Sequence, residues 1–263
     1  MAIVAASDQH LGFENVDKGA FNRFLDQLQK DSSVTDLVLL GDVVDMWRRD
    51  ASGVFLENKD TFDLVALLQT KMNVHYIAGN HDYHVLRLQG HQYPIKFLRD
   101  LTLQQSGKNI VFKHGYEFDE MQREHFMESL CHAMSDEKGD RDNNIWTALS
   151  RDKGDLGHAL SMIFRRGSIV QQAALLMMDP EVRLKDSMGR VEKRAKNSVQ
   201  PNEVLVFGHT HRPFIDKDEN LANSGSWINS SPIHNTYVRV ENGKPQLFIF
   251  EGEEITERID KVK

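Results

Sequence analysis

The stretch Val204-Leu205-Val206-Phe207-Gly208-His209-Thr210-His211 decides how the rest of the chain is read. Four apolar residues closed by glycine predict a buried strand. Just past its end, imidazoles at i and i+2 can both turn toward one point above the sheet edge, which suits a metal ion. Taken alone, the same residues would serve equally well as a polar turn with two solvated histidines. The weight comes from four upstream segments of the same kind, each an apolar run with Asp, Asn or His at its carboxyl end.

Working outward, Ala2-Ile3-Val4-Ala5-Ala6 predicts a first strand, ending in Ser7-Asp8-Gln9-His10. Phe21, Phe24, Leu25 and Leu28 fall at i, i+3, i+4 and i+7, the spacing of an amphipathic helix that covers a sheet. Leu37-Val38-Leu39-Leu40 predicts a second strand, followed by Gly41-Asp42-Val43-Val44-Asp45, where glycine lets the backbone approach closely. A helical segment around Thr61 to Gln69 leads to Val74-His75-Tyr76-Ile77-Ala78 and then Gly79-Asn80-His81-Asp82. Ile110-Val111-Phe112-Lys113 predicts a fourth strand, ending in His114-Gly115. Alternating strands and helices are the mark of βαβ units, and in such sheets ligands gather outside the carboxyl ends of the strands. Asp8, His10, Asp42, Asn80, His81, His114, His209 and His211 all fall there. Chance would place a few of them so, and is a poor explanation for all eight.

Residues 118 to about 200 differ: they are rich in Met, Arg, Lys and Glu and show no clear strand. Phe118, Met121, Phe126 and Leu130 predict one helix. Leu156, Leu160, Ile163, Ile169, Val170, Ala173 and Leu176 predict a longer segment broken near Gly167, and Val182 to Lys196 a third. The region reads as a helical insertion placed as a lid beside the site. Between Arg165 and Lys196, eight basic residues (Arg165, Arg166, Arg183, Lys185, Arg190, Lys193, Arg194, Lys196) face four acidic ones in a chain of net charge −7. They form either a solvated helix face or a positive wall for an anionic substrate. After Asn223-Ser224-Gly225-Ser226-Trp227, the strands Thr236 to Val240 and Gln246 to Phe250 flank Glu241-Asn242-Gly243-Lys244, a hairpin turn signal, and the chain ends in a charged tail.

Length and composition narrow the classes. A chain of 263 residues, 40% hydrophobic and 27% charged, suits one large soluble α/β domain with an insertion. No run approaches the roughly 18 apolar residues of a membrane span. The first residues lack a basic segment and enter a strand at once, so a cytoplasmic location is expected, with peripheral contact to a membrane left open. A single cysteine, Cys131, excludes an internal disulfide and a thiolate metal site. The acidic balance argues against wholesale nucleic-acid binding.

The donors Asp8, His10, Asp42, Asn80, His114, His209 and His211 are all oxygen or imidazole. One ion needs four to six of them, so seven suit two divalent ions sharing a carboxylate, which can activate water and hold phosphate oxygens. Imidazole with carboxylate suits Mn foremost, with Fe, Zn or Co also admitted, over Mg or Ca. His81, with Asp82 beside it, is expected to be catalytic: a neighbouring carboxylate favours the protonated ring, which can protonate a leaving oxygen. Asp45 reads either as an outer partner of a ligand histidine or as a plain turn carboxylate. Trp47, Arg48 and Arg49 are placed to reach a substrate but read first as surface residues, and His75 as a core or outer-face histidine.

Five motifs, Asp8-Gln9-His10, Gly41-Asp42-Val43-Val44-Asp45, Gly79-Asn80-His81-Asp82, His114-Gly115 and Gly208-His209-Thr210-His211, resemble in order and spacing those of the calcineurin-like metallophosphoesterase superfamily. The resemblance implies an α/β fold, a two-sheet β sandwich flanked by helices, as a single domain over residues 1–263 with the helical lid at about 118–200. It implies that Asp8, His10 and His211 hold one metal and Asn80, His114 and His209 the other, that Asp42 bridges them, and that His81 acts near the leaving group. The reaction implied is hydrolysis of a phosphodiester or pyrophosphate bond with metal-bound hydroxide as nucleophile, on a small anionic phosphoester, nucleotide- or lipid-linked. Gly41 to Trp47 and the insertion are similar to the UDP-2,3-diacylglucosamine pyrophosphatase group of lipid A synthesis, although that group commonly carries Arg where this chain has His81. Ser7 to Gly12 is also similar to the DNA-repair nucleases of the superfamily, whose capping domain differs. A non-catalytic scaffold of the same fold would be expected to lose ligands, and none of the seven is missing here.

Overall fold

The computed structural model describes residues 1–88, 95–119, 180–251 and 254–258. Strands β1 (Ala2–Ala6), β2 (Val34–Leu40) and β3 (Asn73–Ile77) run parallel, linked by α1 (Lys18–Leu28) and by α2 (Ala51–Glu57) with α3 (Lys59–Leu68). These are the expected βαβ units. Then come β4 (Lys96–Leu98), β5 (Asp100–Gln105), β6 (Lys108–Lys113), α4 (Pro180–Ser198), β7 (Glu203–Phe207), β8 (Phe214–Ile215), β9 (Leu221–Asn223), β10 (Thr236–Glu241), β11 (Lys244–Glu251) and β12 (Glu254–Arg258). They build two mixed sheets, β12-β11-β10-β1-β2-β3-β4 and β5-β6-β7-β9-β8.

Side-chain alternation explains why β1, β2 and β7 read as unbroken apolar runs: both faces of each strand are covered. Ala2, Val4, Ala6, Leu37 and Leu39 turn toward Phe21, Phe24 and Leu25 of α1 and Val65 and Leu68 of α3. Ile3, Ala5, Val38 and Leu40 turn the other way, against Ile110, Phe112, Val204 and Val206 of the second sheet. The outer face of that sheet, with Leu205, Phe207 and Leu221, takes Val191 and Ala195 of α4. The result is helix, sheet, sheet, helix, the two-sheet sandwich that the motifs implied. The α1 stripe is the expected one, with Phe21, Phe24, Leu25 and Leu28 buried, and the Asp17 side chain caps the helix by accepting from the Ala20 N–H at 3.0 Å.

At the hairpin, Glu241 pairs with Lys244 across Asn242 (φ 51°) and Gly243 (φ 71°), the positive-φ turn that the sequence signals. Two readings need correction. The strand at Ile110 is the sixth rather than the fourth, because β4 and β5 precede it; β4 is three residues long, and the apolar positions of β5 are only half-buried. The charged tail contains β12, which pairs antiparallel with β11 through backbone bonds that carry no hydrophobic signature. Of the insertion, the third predicted helix is α4, and the two before it lie outside the described residues, as do Arg165 and Arg166.

The packing of α1 on the first sheet centres on Phe24, fully buried, with Trp227 5.1 Å, Tyr237 4.8 Å and Phe250 5.8 Å away between ring centroids. Phe24→Ala should lower stability by about 3–5 kcal/mol. Guanidinium unfolding followed by tryptophan fluorescence measures it, and a loss below about 1 kcal/mol would mean that this cluster does not anchor α1.

Candidate metal centre

The apolar strands end where their chain must turn at once and present polar groups inward. Asp8 (φ 57°), His10 (48°), Asp42 (52°), His209 (65°) and His211 (55°) all take left-handed backbone there. This conformation is sparsely populated by residues other than glycine, costs on the order of 1–3 kcal/mol each, and clusters at functional sites. Crossing hydrogen bonds hold the turns together. Asp8 N–H donates to Gly41 O at 3.0 Å, His10 N–H to Asp42 O at 2.8 Å, Gly208 N–H to His114 O at 2.8 Å and Trp227 N–H to Asp8 O at 3.1 Å. Glycine is required where loops touch: a Cβ on Gly79 would strike the Asp42 carboxylate and backbone nitrogen, and one on Gly208 would strike Ser7 and Asp8.

These turns bring the seven predicted donors together. Asp8, His10 and His211 form one group, with His211 Nε2 3.1 Å from Asp8 Oδ1 and 3.3 Å from His10 Nε2. Asp42, His114 and His209 form another. His114 Nε2 is 3.3 Å from Asp42 Oδ2 and 3.2 Å from Asn80 Oδ1, and His209 Nδ1 is 3.0 Å from the same amide oxygen. Asp42 stands between the groups, its Oδ2 3.6 Å from His10 Nε2. All but His211 are buried.

Burial opposes charge on these side chains, and mutual attraction overrides it. The field of His211 and the nearness of His10 and His114 hold Asp8 well below the usual carboxylate range against desolvation. His114, His81 and His10 do the same for Asp42. His10, desolvated but beside Asp45, Asp8 and Asp42, is raised to about 10; His114, desolvated but beside Asp42 and Asp8, is also raised to about 10. Yet Asp8 Oδ1 is buried without a hydrogen bond, 3.8 Å from His10 Nε2. Buried polar atoms that crowd one point and leave Asp8 Oδ1 and His209 Nε2 unsatisfied are what a cation shared among them would satisfy, and a set of imidazoles, carboxylates and one amide suits a divalent ion.

Around the donors lie residues that orient them. Asp45, fully buried, accepts at Oδ1 from His81 Nδ1 (3.0 Å), Trp47 N–H (3.2 Å) and Arg48 N–H (3.1 Å), and at Oδ2 from His10 Nδ1 (3.0 Å) and the Arg48 guanidinium. By taking Nδ1 of His10 it turns Nε2 toward the cluster. Of its two readings, the outer partner is the one that the geometry matches. Asp82 takes a different place from the one expected. It does not pair with His81; its oxygens accept from Tyr76 OH (2.6 Å), Val43 N–H (2.8 Å) and Gly79 N–H (2.6 Å), bracing the loops after β2 and β3. The carboxylate beside the His81 ring is Asp45, and burial, outweighing the fields of Asp45 and Asp42, holds His81 below its usual value. Trp47 is not a surface residue; it is buried against His81. Arg49 does lie outside, on Asp50 and Glu57, and His75 is buried on Asp36. Sequence reasoning missed Tyr76, the Ser7–Ser224 hydroxyl contact (2.6 Å) and Asn223, whose amide donates to Gly208 O at 2.7 Å and Thr210 Oγ1 at 3.1 Å. Only the Asp three residues after Asp42 carried a signal.

Two members of the expected positive wall serve structure: Arg194 donates to Phe118 O at 3.0 Å, and Lys196 binds Asp216, Asp218 and Asn220.

Against known proteins, the family described as calcineurin-like phosphoesterase matches residues 1–213. A UDP-2,3-diacylglucosamine hydrolase of Chromohalobacter salexigens is 25% identical over 259 residues, 93% of this chain and 95% of that protein. Among solved structures, a dimetal phosphatase from Danio rerio is 14% identical with TM-score 0.43, covering 95% of this chain and 99% of its own. Vps29 from Entamoeba histolytica is 13% identical with TM-score 0.46, covering 100% of both chains.

A cation binds only deprotonated imidazole, so metal must displace protons from His10 and His114, which carry them at pH 8 because their values lie near 10. Loading the metal-free protein with Mn at pH 8 should release about two protons per chain. Calorimetry in buffers of different ionisation enthalpy counts them, and binding with no proton release would contradict this electrostatic picture.

Proposed function

The chain belongs to the calcineurin-like phosphoesterase family and is a phosphoric ester hydrolase. From that premise we propose that it uses two divalent cations, manganese foremost, to hydrolyse a phosphodiester or pyrophosphate bond in a small anionic substrate. Asp8, His10 and His211 would hold one ion and Asn80, His114 and His209 the other, with Asp42, which stands between the two groups, within reach of both. The observation that supports this reading best is the set of five donor residues held in left-handed backbone at the strand ends. Strain of that kind persists where the surrounding structure over-determines it, and here it turns separate loops onto one point. When bound, such ions supply acidity to water and positive charge to phosphate oxygens.

The chain's own residues do the rest. Asp45 keeps His10 and His81 oriented through their Nδ1 atoms. His81, 8% exposed at the edge of the buried donors, keeps Nε2 as the ring nitrogen that Asp45 does not take, and serves the leaving oxygen through it. Asp82 and Tyr76 keep the loop that carries Asn80 and His81 fixed to the loop that carries Asp42. Residues 118–200 act as the lid of a single domain, with α4 as its fixed end. Among the described residues no helix is long and apolar enough to cross a membrane. We place the enzyme in the cytoplasm, with room for peripheral contact with a membrane if the substrate is lipid-linked.

The relative from Chromohalobacter favours a second, narrower reading, hydrolysis of UDP-2,3-diacylglucosamine, because the similarity extends over nearly the whole of both chains, including the insertion. The two readings are separated by substrate. Bis(p-nitrophenyl) phosphate should be turned over with Mn, and Asp42→Ala and His114→Ala should each lower kcat by about a hundredfold or more. If UDP-2,3-diacylglucosamine is cleaved with a far higher kcat/KM than the aryl diester, the narrower reading holds. Absence of metal-dependent turnover on any phosphoester would sink both.

A further inference from the structure

Trp47 follows Asp45 in the turn after β2 and is 5% exposed. Its indole lies over the His81 imidazole, with centroids 4.1 Å apart and planes inclined by 26°. The ring is held elsewhere too. Asp45 Oδ1 meets Nδ1 at 3.0 Å, the His10 ring stands edge-on at 4.7 Å and 82°, and the backbone below it is fixed by the His81 main-chain N–H, which donates to Asp42 Oδ1 at 2.8 Å. A hydrogen bond at one ring nitrogen fixes an edge but lets the ring tip about the line of that bond. A flat aromatic face laid on the ring removes the tipping. The Trp47 main chain is tied to the same carboxylate oxygen as His81, because its backbone N–H donates to Asp45 Oδ1 at 3.2 Å. One oxygen therefore holds the His81 ring and the backbone that carries the indole, and the stack is buried in the turn rather than being a loose surface contact.

We infer that Trp47 is a positioning residue for phosphoester cleavage, clamping the His81 imidazole in the plane from which Nε2, the nitrogen that Asp45 does not take, reaches the leaving oxygen. The inference rests on the reading of His81 as the group beside that oxygen. It adds a residue that neither metal binding nor the donor set requires, since Trp47 contributes no ligand atom. Stacking of two flat rings also explains why an indole stands at a buried position whose side chain could otherwise be any apolar residue of similar size.

The test compares Trp47→Leu and Trp47→Phe in the full-length, metal-loaded enzyme, with metal content measured for each; Trp47→Met carries the same comparison if the Leu variant does not accumulate. Aryl phosphodiesters with leaving groups of graded pKa provide the kinetic readout. Trp47→Leu should lower kcat about tenfold or more on the most basic leaving group, less on p-nitrophenol, with KM and metal content unchanged. Trp47→Phe should stay within about threefold of the parent, because it keeps a face on the ring. Independently of turnover, the His81 ring protons in the zinc-loaded protein, assigned through His81→Gln, should lie upfield under the indole ring current and move downfield in Trp47→Leu. The inference is overturned if the shift is absent in the parent, or if Trp47→Leu loses the shift while kcat and its leaving-group dependence stay as they were. Failure of the parent to turn over any phosphoester would refute the functional reading instead, while the proton shift would still report whether the clamp exists.

Discussion

Three of the strands that carry the site, β1, β2 and β7, leave the sandwich through residues that would rather not adopt the conformation they are given. Asp8, His10, Asp42, His209 and His211 are bent into left-handed backbone, and little about their own chemistry accounts for it. The constraint comes from the sandwich. β1, β2 and β7 are buried on both faces, so their side chains alternate between layers and none can reach past the sheet edge. Only an abrupt turn at the last strand residue can collect donors from two sheets at one place. The glycines at 41, 79 and 208 let these turns approach closely enough to share hydrogen bonds.

Collecting charge in a dry place creates a second demand. Asp8, Asp42, Asp45 and Asp82 are all buried in one site with four buried histidines, His10, His81, His114 and His209. Isolated, each would be expensive; together the carboxylates and imidazoles stabilise each other's charged forms. The carboxylates divide the work. Asp42 and Asp8 face the donor cluster, Asp45 orients rings, and Asp82 ties loops by accepting two backbone N–H groups and a phenol. Asp82 is raised to about 6, chiefly by its burial and by the nearby Asp42, in spite of those three donors. It is the member of the set whose ionisation the neighbouring charge resists most, which fits a brace better than an acid–base group.

What could be read beforehand follows from where the physics is local. The strand runs, the α1 stripe and the hairpin at Asn242-Gly243 were legible because burial and turn geometry act on neighbouring residues. The seven donors were legible because each sits at a strand end with a glycine or a second donor beside it. The three-dimensional partners were not. Asp82 follows His81 directly, so adjacency suggested a pair, whereas the turn after β3 sends the two side chains apart and hands His81 to Asp45, 36 positions earlier. Trp47 looked exposed because charged residues follow it; only the fold lays it on His81. Ser224 and Asn223 gave no signal at all, because their bonds to Ser7, Gly208 and Thr210 exist only once β9 lies against β7. β5 escaped for the opposite reason: its pairing is carried by the backbone, with little apolar burial to announce it.

The same logic bears on how the insertion joins the site. α4 is not laid on the sandwich by its apolar stripe alone. Glu192 meets Arg212 at 3.2 Å and Thr210 at 3.4 Å, Arg194 reaches the carbonyl of Phe118, and Lys196 is gripped by Asp216, Asp218 and Asn220. Two of these contacts are with residues that alternate with, or directly follow, His209 and His211. Exposed ion pairs are weak one at a time, but a network anchored on a half-buried carboxylate such as Glu192 has a fixed geometry. Any shift of α4 along the sheet would therefore be felt by Thr210, whose hydroxyl also accepts from Asn223, before it reached the imidazoles on either side. α4 and the last pair of donors are thus joined by one polar network, running from Glu192 to Thr210 and Arg212 on either side of His211.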